Sequence, residues 1–272
     1  MAMDDRDDLE PMRLTTLTFV GTASCTPIDD NDTACFLVNG HVLVDCGWAA
    51  ALSMLGRPEY DATRLTHVLL THCHQDHYMG LASVLFYRRM QRARLGDESE
   101  LRIFGPAEDI ERVVELARAY LQVDRFSAVQ TTPEVIPVTP GDALRVGEFE
   151  VRTAPTQHPI QGLAYRIRDT QTGAAIGFSG DTAYLPALAE FFRGVDLLIM
   201  EGSTGLTDPP ADSTSGHSSV LQSARIARDA QVGRLALVHI GGGGEREELL
   251  AAAREVFAAA MMPVPGETAT WE

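Results

Sequence analysis

Val68-Leu69-Leu70-Thr71-His72-Cys73-His74-Gln75-Asp76-His77 decides how this chain is read. The apolar run VLLT has the character of a buried strand and ends directly in a polar loop. Three histidines and an aspartate then fall within six residues. In extended backbone His72 and His74 project to the same side, because side chains alternate with period two. Asp76 and His77 follow where the chain turns into a helix. Imidazole and carboxylate are borderline ligands suited to zinc and its first-row neighbours. One histidine alone is ordinarily a core or surface residue. Four potential ligands this close behind an apolar strand point to a metal site.

The flanking sequence supplies a scaffold. Residues 14–20 alternate small polar and apolar side chains, as a strand does. The runs 34–38 and 42–45 are joined by Asn39-Gly40, a strong short-range hairpin signal. Residues 78–95 carry Leu81, Val84, Leu85 and Met90 near helical spacing. Further strands are expected at 101–104 (closed by Gly105-Pro106), 149–154, 163–167, 174–179, 196–200 and 235–240. Helices are expected at 108–121, 218–230 and 245–260. Strands clustered early and helices interleaved later imply a layered α/β protein with mixed sheets. No linker-like stretch divides the chain, so residues 12–272 read as one domain. Residues 1–11, with five acids and one arginine, read as a disordered acidic tail.

Composition narrows the function classes. The chain has 272 residues and a mass of 29.5 kDa, with 45% hydrophobic and 22% charged residues. That is ordinary globular usage and argues against disorder or fibre. With 38 acidic and 22 basic residues the net charge is −16, which weighs against broad contact with a nucleic-acid backbone. A local basic patch stays open. No apolar run approaches the roughly 20 residues of a membrane helix. The acidic N-terminus does not resemble a secretory signal. Four cysteines, Cys25, Cys35, Cys46 and Cys73, make no disulfide framework in a chain this long. A reducing cytoplasm is therefore the expected location.

His72-x-His74-x-Asp76-His77 resembles the HxHxDH signature of the metallo-β-lactamase fold superfamily. The rest of that pattern appears in order: His158 after the strand ending at Ala154, Asp181 in Phe178-Ser179-Gly180-Asp181-Thr182, and His239 closing Leu235-Ala236-Leu237-Val238. The resemblance spans roughly residues 13–240. It implies a four-layer αβ/βα sandwich with mixed β-sheets and metals at one edge. It also implies two divalent ions per chain, zinc ahead of manganese or iron. His72, His74 and His158 would hold the first, Asp76, His77 and His239 the second, and Asp181 would bridge them. Two metals about 3.5–4 Å apart stabilise both attacking and leaving oxygens, and a carboxylate has two oxygens with which to bridge. Asp45, in Val42-Leu43-Val44-Asp45-Cys46-Gly47, resembles the aspartate that supports the metal loop in this family; a plain strand-end turn is its other reading. His41 and His67 read as structural or exposed. Cys73 points away from the two ligands beside it, so packing is its expected role.

Gly216-His217-Ser218-Ser219 is similar to the histidine motif of the tRNA 3′-processing endonucleases and related phosphodiesterases. There the histidine pairs with a glutamate after a buried strand, and Glu201, following Asp196-Leu197-Leu198-Ile199-Met200, matches that position. A histidine steered by a carboxylate can act as general acid on a leaving oxygen. The plainer alternative is that Ser218 caps a helix and His217 merely precedes it. The sequence also departs from that branch. Only 23 positions separate His158 from Asp181, which leaves no room for the tRNA-gripping arm. Gly241–Gly244 could cradle an anion, with a plain loop as the ordinary reading. Arg88, Arg89, Arg92 and Arg94 could bind a phosphate-rich partner, with a solvated helix face as the ordinary reading.

The reading that results is a cytoplasmic, dizinc hydrolase that cleaves a small phosphodiester with metal-activated hydroxide. Asp76 would orient or deprotonate the nucleophile and His217, steered by Glu201, would protonate the leaving alkoxide. A small-molecule ester is the expected partner rather than nucleic acid or membrane, and a homodimer is allowed. A lactonase or other carboxylic-ester hydrolase with the same metals is the nearest rival, and needs no His217/Glu201 pair. A mononuclear iron oxygenase would differ in metal content. A non-catalytic metal-binding scaffold would not need all seven ligand positions intact.

Overall fold

The structure, a computed structural model, describes residues 14–57, 60–96, 99–241 and 244–272. The acidic tail, and Gly242 and Gly243 of the glycine run, lie outside the described residues. Two mixed sheets face one another. The first contains β1 (Thr15–Ala23), β2 (Asp32–Thr33), β3 (Cys35–Val38), β4 (Val42–Val44), β5 (His67–Leu69), β6 (Arg102–Pro106) and β7 (Glu134–Val138). The second contains β8 (Ala143–Val146), β9 (Phe149–Pro155), β10 (Leu163–Asp169), β11 (Ala175–Phe178), β12 (Leu197–Glu201), β13 (Arg234–Val238) and β14 (Ala260–Met261). The last strand, β15 (Thr268–Trp271), returns to the first sheet. The orders are β15-β1-β3-β4-β5-β6-β7, with β2 beside β1, and β14-β13-β12-β11-β10-β9-β8. Pairing is antiparallel where hairpins connect strands, as in β3–β4 and β9–β10. It is parallel where longer crossovers do, as in β5–β6 and β12–β13.

Helices cover both outer faces. They are α1 (Ala50–Ser53), α2 (Gln75–Tyr78), α3 (Leu81–Leu95), α4 (Ile110–Tyr120), α5 (Leu188–Phe191), α6 (Val220–Asp229) and α7 (Arg246–Val256). Val84, Leu85 and Val113 pack α3 and α4 onto the first sheet. Leu188, Ala224 and Leu249 pack α5, α6 and α7 onto the second. The result is the expected αβ/βα sandwich. Its layering explains the continuous apolar runs. In β12, Leu197 and Ile199 face the core between the sheets, while Leu198 and Met200 face the helices. The hairpin turn also follows from its residues. Asn39 and Gly40 sit at φ of 48° and 70°, the two positive values that a tight two-residue hairpin turn requires.

Several boundaries differ from expectation for tertiary reasons. The helix expected over 78–95 starts at Leu81, and Tyr78 instead ends the short α2. Cys46 N donates to His77 O and Gly80 N donates to Cys46 O, so the loop after β4 takes bonds that an unbroken helix would make internally. The strand expected to close at Gly105-Pro106 runs through it, with Pro106 opposite Val138. The alanine-rich segment expected to be helical to 260 leaves the helix at Val256, and Ala260 pairs with Leu235 instead. Helix propensity is a weak prior against such pairing. Arg88 is not part of a solvated face. It is buried, and its guanidinium donates to the carbonyls of Leu65 and Ser99. Leu65 precedes β5, so this arginine secures the end of the strand opposite the metal loop. No helix among the described residues is long and apolar enough to cross a membrane.

Candidate metal centre

The metal-ligand candidates converge at one edge of the sandwich, beyond the carboxyl ends of parallel strands, where open α/β sheets commonly present their ligands. The loop after β5 carries His72 and His74, and α2 carries Asp76 and His77. His158 follows β9, Asp181 follows β11, Glu201 ends β12 and His239 follows β13. The structure brings all of them together. His72, His74 and His158 form one group able to hold a metal ion. Asp76, His77, Asp181 and His239 form a second, and in each group the ligand atoms lie within 4.8 Å of one another. Asp181 lies between them: Oδ2 is 3.9 Å from His72 Nε2 and 3.5 Å from His239 Nε2, and Oδ1 is 3.6 Å from His77 Nε2.

Supporting contacts fix how most of these rings present themselves. Nδ1 of His77 lies 2.8 Å from Asp45 Oδ2. Asp45 in turn accepts from the backbone and hydroxyl of Thr71, at 2.8 and 2.9 Å. Nδ1 of His158 donates to Gly216 O at 2.9 Å. Nδ1 of His239 lies 2.8 Å from Ser203 Oγ, whose hydroxyl can donate to His239 O. Each ring so held turns Nε2 toward the cluster, where its lone pair would face a bound ion. Nε2 of both His72 and His77 is buried and without a hydrogen-bond partner. Buried polar atoms are rarely left so. His158 Nε2 also faces His74 Nδ1 at 2.9 Å, nitrogen against nitrogen. Orphaned lone pairs beside buried carboxylates fit a divalent cation.

The electrostatics divide the rings: against burial, the carboxylates of Asp45 and Asp181 raise His77 and those of Asp181 and Asp76 raise His239, whereas the other three histidines go down. Burial pushes His72 well below its ordinary pKa and lowers His74 and His158, favouring the neutral form that ligates metal. Burial would likewise raise Asp181, but His239 and His77 outweigh it and hold its carboxyl well below the usual range. Cys73 packs against the helix-side core of the first sheet, and burial pushes its thiol up to about 12. That suits packing rather than ligation.

His217 stands beside this cluster. Its Nδ1 is 3.1 Å from Glu201 Oε2 and 3.2 Å from Oε1. Glu201 is buried, and it also accepts from Thr182 N at 2.6 Å and Ser203 N at 3.3 Å. The hydrogen bond to Glu201 raises the His217 pKa against the effect of burial. The cap of α6 is Ser219, in a reciprocal capping box with Gln222, rather than Ser218, whose hydroxyl donates to Thr182 O. Gly216 sits at φ 71°, and a Cβ there would fall 2.7 Å from His158 Nδ1. The turn that delivers His217 thus also supports His158.

Sequence reading missed Ser203 and the Gly216 carbonyl as supports. It also missed that Glu201, His217 and His239 could together hold a metal. Only the adjacency of β12 and β13 brings Ser203 to His239, and nothing local in Glu201-Gly202-Ser203 signals it. Of the glycine run, Gly241 lines the cleft with Ser24 and Ser203.

Residues 41–240 match the family described as the beta-lactamase superfamily domain. The probable metallo-hydrolase YhfI of Bacillus subtilis (strain 168) is 29% identical over 217 residues, covering 79% of this chain and 82% of its own. The crystal structure of YhfI superposes with a TM-score of 0.80 over 95% of this chain and 100% of that one, at 26% identity. Ribonuclease BN of Enterobacter sp. (strain 638) is 25% identical, covering 89% of this chain and 95% of the relative. That alignment runs over 302 positions against a 272-residue chain, so the relative carries segments that this chain lacks. The short form of human tRNase Z shares the fold, with a TM-score of 0.72 at 18% identity over 93% of this chain and 98% of that one. With its motif, its layers and its ligand cluster in this arrangement, the chain belongs to the β-lactamase superfamily and is a metallo-hydrolase of that fold.

Proposed function

We propose that this enzyme hydrolyses a small phosphodiester with two divalent ions per chain, zinc ahead of manganese or iron. His72, His74 and His158 would hold one ion, Asp76, His77 and His239 the other, and Asp181 both. Ions held there would polarise a phosphoryl oxygen and bring the pKa of water toward neutrality. The observation that carries the reading is the His217–Glu201 pair beside the cluster. Glu201 accepts at Nδ1 and favours the protonated ring, which leaves Nε2–H to meet the leaving oxygen. Asp76, as a ligand, would orient or deprotonate that water. Its Oδ2 lies 3.0 Å from His239 Nε2 and 3.3 Å from His77 Nε2. These two rings outweigh burial and hold its carboxyl far below the usual range. A ribonuclease cleaves phosphodiesters, so the ribonuclease BN relatives support this bond type.

A small cytoplasmic substrate, rather than tRNA, belongs to the same proposal. The net charge of −16 opposes a polyanion, whose binding grows with the number of phosphates neutralised. The short span between His158 and Asp181 removes one place for a gripping arm. The test compares kcat/KM on bis(p-nitrophenyl) phosphate, nucleotide diesters, a lactone and a precursor tRNA, with zinc or manganese added. Diesters should be turned over best. Preference for the lactone, or efficient cleavage at the tRNA 3′ end at physiological salt, would refute the reading.

A further inference from the structure

We propose that a second cavity, beyond His217, receives the leaving group of the substrate, and that this group is an uncharged nucleoside. The inference rests on the phosphodiesterase reading above. The metal cluster opens into a cleft of about 380 Å³. A separate cavity of about 290 Å³ lies on the other side of His217, and His217 is the one residue common to both linings among the described residues. A general acid gives its proton to the oxygen that departs, so the departing group lies on the acid's side. Nδ1 of His217 is occupied by Glu201, which leaves Nε2 for that oxygen.

The chemistry of the second cavity selects the group. Its walls include the ring of Tyr184 and the flat faces of Pro209 and Pro210, with the amides of Gln157 and Gln222. Among the described residues, no lysine or arginine lines it. Its one carboxylate, Asp208, already accepts from the Ser219 hydroxyl and, at 2.6 Å, from Arg225 Nη1. Apart from His217 itself, neither a free cation nor a free anion is therefore offered to a ligand. Flat apolar surfaces with the exposed Gln157 amide beside them suit a stacked heteroaromatic ring with hydrogen-bonding edges. The same two bonds of Asp208 pin the wall to the capped start of α6, so the cavity is pre-formed. Its volume is near the roughly 300 Å³ lower limit of small-ligand pockets, which suits one nucleoside and not an oligonucleotide.

Adenosine and uridine carry no phosphate and probe this cavity alone. They are titrated by calorimetry into the metal-loaded enzyme and into Tyr184→Ala and Ala211→Trp, the latter an exposed position whose enlargement fills the cavity. The parent should bind adenosine, and both variants should bind it about 10-fold more weakly, the order expected for losing one stacking surface. Metal content and circular dichroism should match the parent. Inorganic phosphate, which seeks the metals, should bind parent and variants alike. Adenosine that fails to bind, or that binds all three proteins equally, overturns the inference. So does phosphate affinity that falls in step with adenosine affinity. A dinucleoside monophosphate separates the two readings. Adenosine binding without diester turnover by fully loaded enzyme sinks the phosphodiesterase reading and the leaving-group role with it. Turnover without adenosine binding sinks this inference alone.

Discussion

Histidines and carboxylates gather at both ends of the sandwich, and the two gatherings are built on opposite plans. At the carboxyl ends of β5, β11 and β13, imidazole lone pairs converge, and Nε2 of His72 and His77 lacks a hydrogen-bond partner. At the other end, around the β3–β4 turn, donors meet acceptors. Asn39 Nδ2 donates to Glu148 Oε1 and Asp169 Oδ2, each at 3.1 Å. His41 Nε2 lies 3.1 Å from Glu148 Oε2, Thr15 donates to Asp169 at 2.8 Å, and His67 Nδ1 lies 2.8 Å from Thr66 Oγ1. Residue type does not distinguish the two ends. Unmatched lone pairs do, because a buried polar atom without a partner costs stability unless something else fills the role. The first end is built for a cation, and the second ties the sheets together.

Breaking the first end should have the largest effect. Asp181 lies between both ligand groups, so Asp181→Ala should lower occupancy at both. Elemental analysis of protein purified without chelator should approach two ions per chain in the parent and fall well below that in the variant. A parent that stays at one ion with added zinc or manganese would sink the dinuclear proposal. The next effect separates acid from ligand. His217→Ala should keep its metal and lose about 10²–10⁴-fold in rate, the usual contribution of general acid catalysis. The loss should shrink for p-nitrophenolate, a leaving group that needs little protonation. Loss of metal would instead make His217 a ligand, as its grouping with Glu201 and His239 allows.

The third effect tests the support beneath the ligands. Asp45 receives His77 Nδ1 and both Thr71 donors. Asp45→Ala should weaken metal binding about 10–100-fold, as loss of such supporting contacts does, and competition with a chelator would measure it. Asp45→Ala with parental affinity would mean that packing alone orients His77.

The two ends also differ in how readily the sequence disclosed them. Four ligand candidates lie within six residues after an apolar strand, so local spacing exposed them. His158, Asp181 and His239 stood out because each follows a strand in a known order. His41 and His67 carried no comparable signal. The partner of His41 is Glu148, more than a hundred positions away, and only the packing of β9 and β10 against the β3–β4 turn creates that end. Distance also hid Ser203. Edge strands such as β7 were missed because half-exposed strands lack a continuous apolar run. Arg88 looked like part of a surface cluster because sequence spacing does not reveal which arginine turns inward.

Breaking the second end should cost stability and spare the metal. Asp169 accepts side-chain bonds from Thr15 and Asn39 and a backbone bond from Gln171. Asp169→Ala should destabilise the fold by about 3 kcal/mol, the scale for losing hydrogen bonds to a buried charge. Urea unfolding would show this, with metal content unchanged. Metal loss in this variant would mean that the two ends are coupled through the strands.

The smallest effect concerns His67, whose titration belongs wholly to the second end. Burial, with a lesser contribution from Arg102, lowers its pKa to about 4 from an ordinary 6.5. The folded state therefore keeps this ring neutral while the unfolded chain takes up a proton below pH 6.5. Between those values the unfolded state binds more protons, so stability is fully present above pH 6.5 and is lost as pH falls toward 4. Moving from pH 7 to pH 5 should cost about 1–2 kcal/mol through this ring. His67→Gln keeps a neutral polar side chain and removes the titration. Urea unfolding of parent and variant at both pH values, each loaded with the same metal, isolates the ring, since contributions from the metal end cancel in the difference. The parent should lose about 1–2 kcal/mol more than the variant on acidification. Equal losses would show that the ring is solvated in solution. The matched end would then be looser than its hydrogen bonds imply, and the contrast between the two ends would rest on the metal cluster alone.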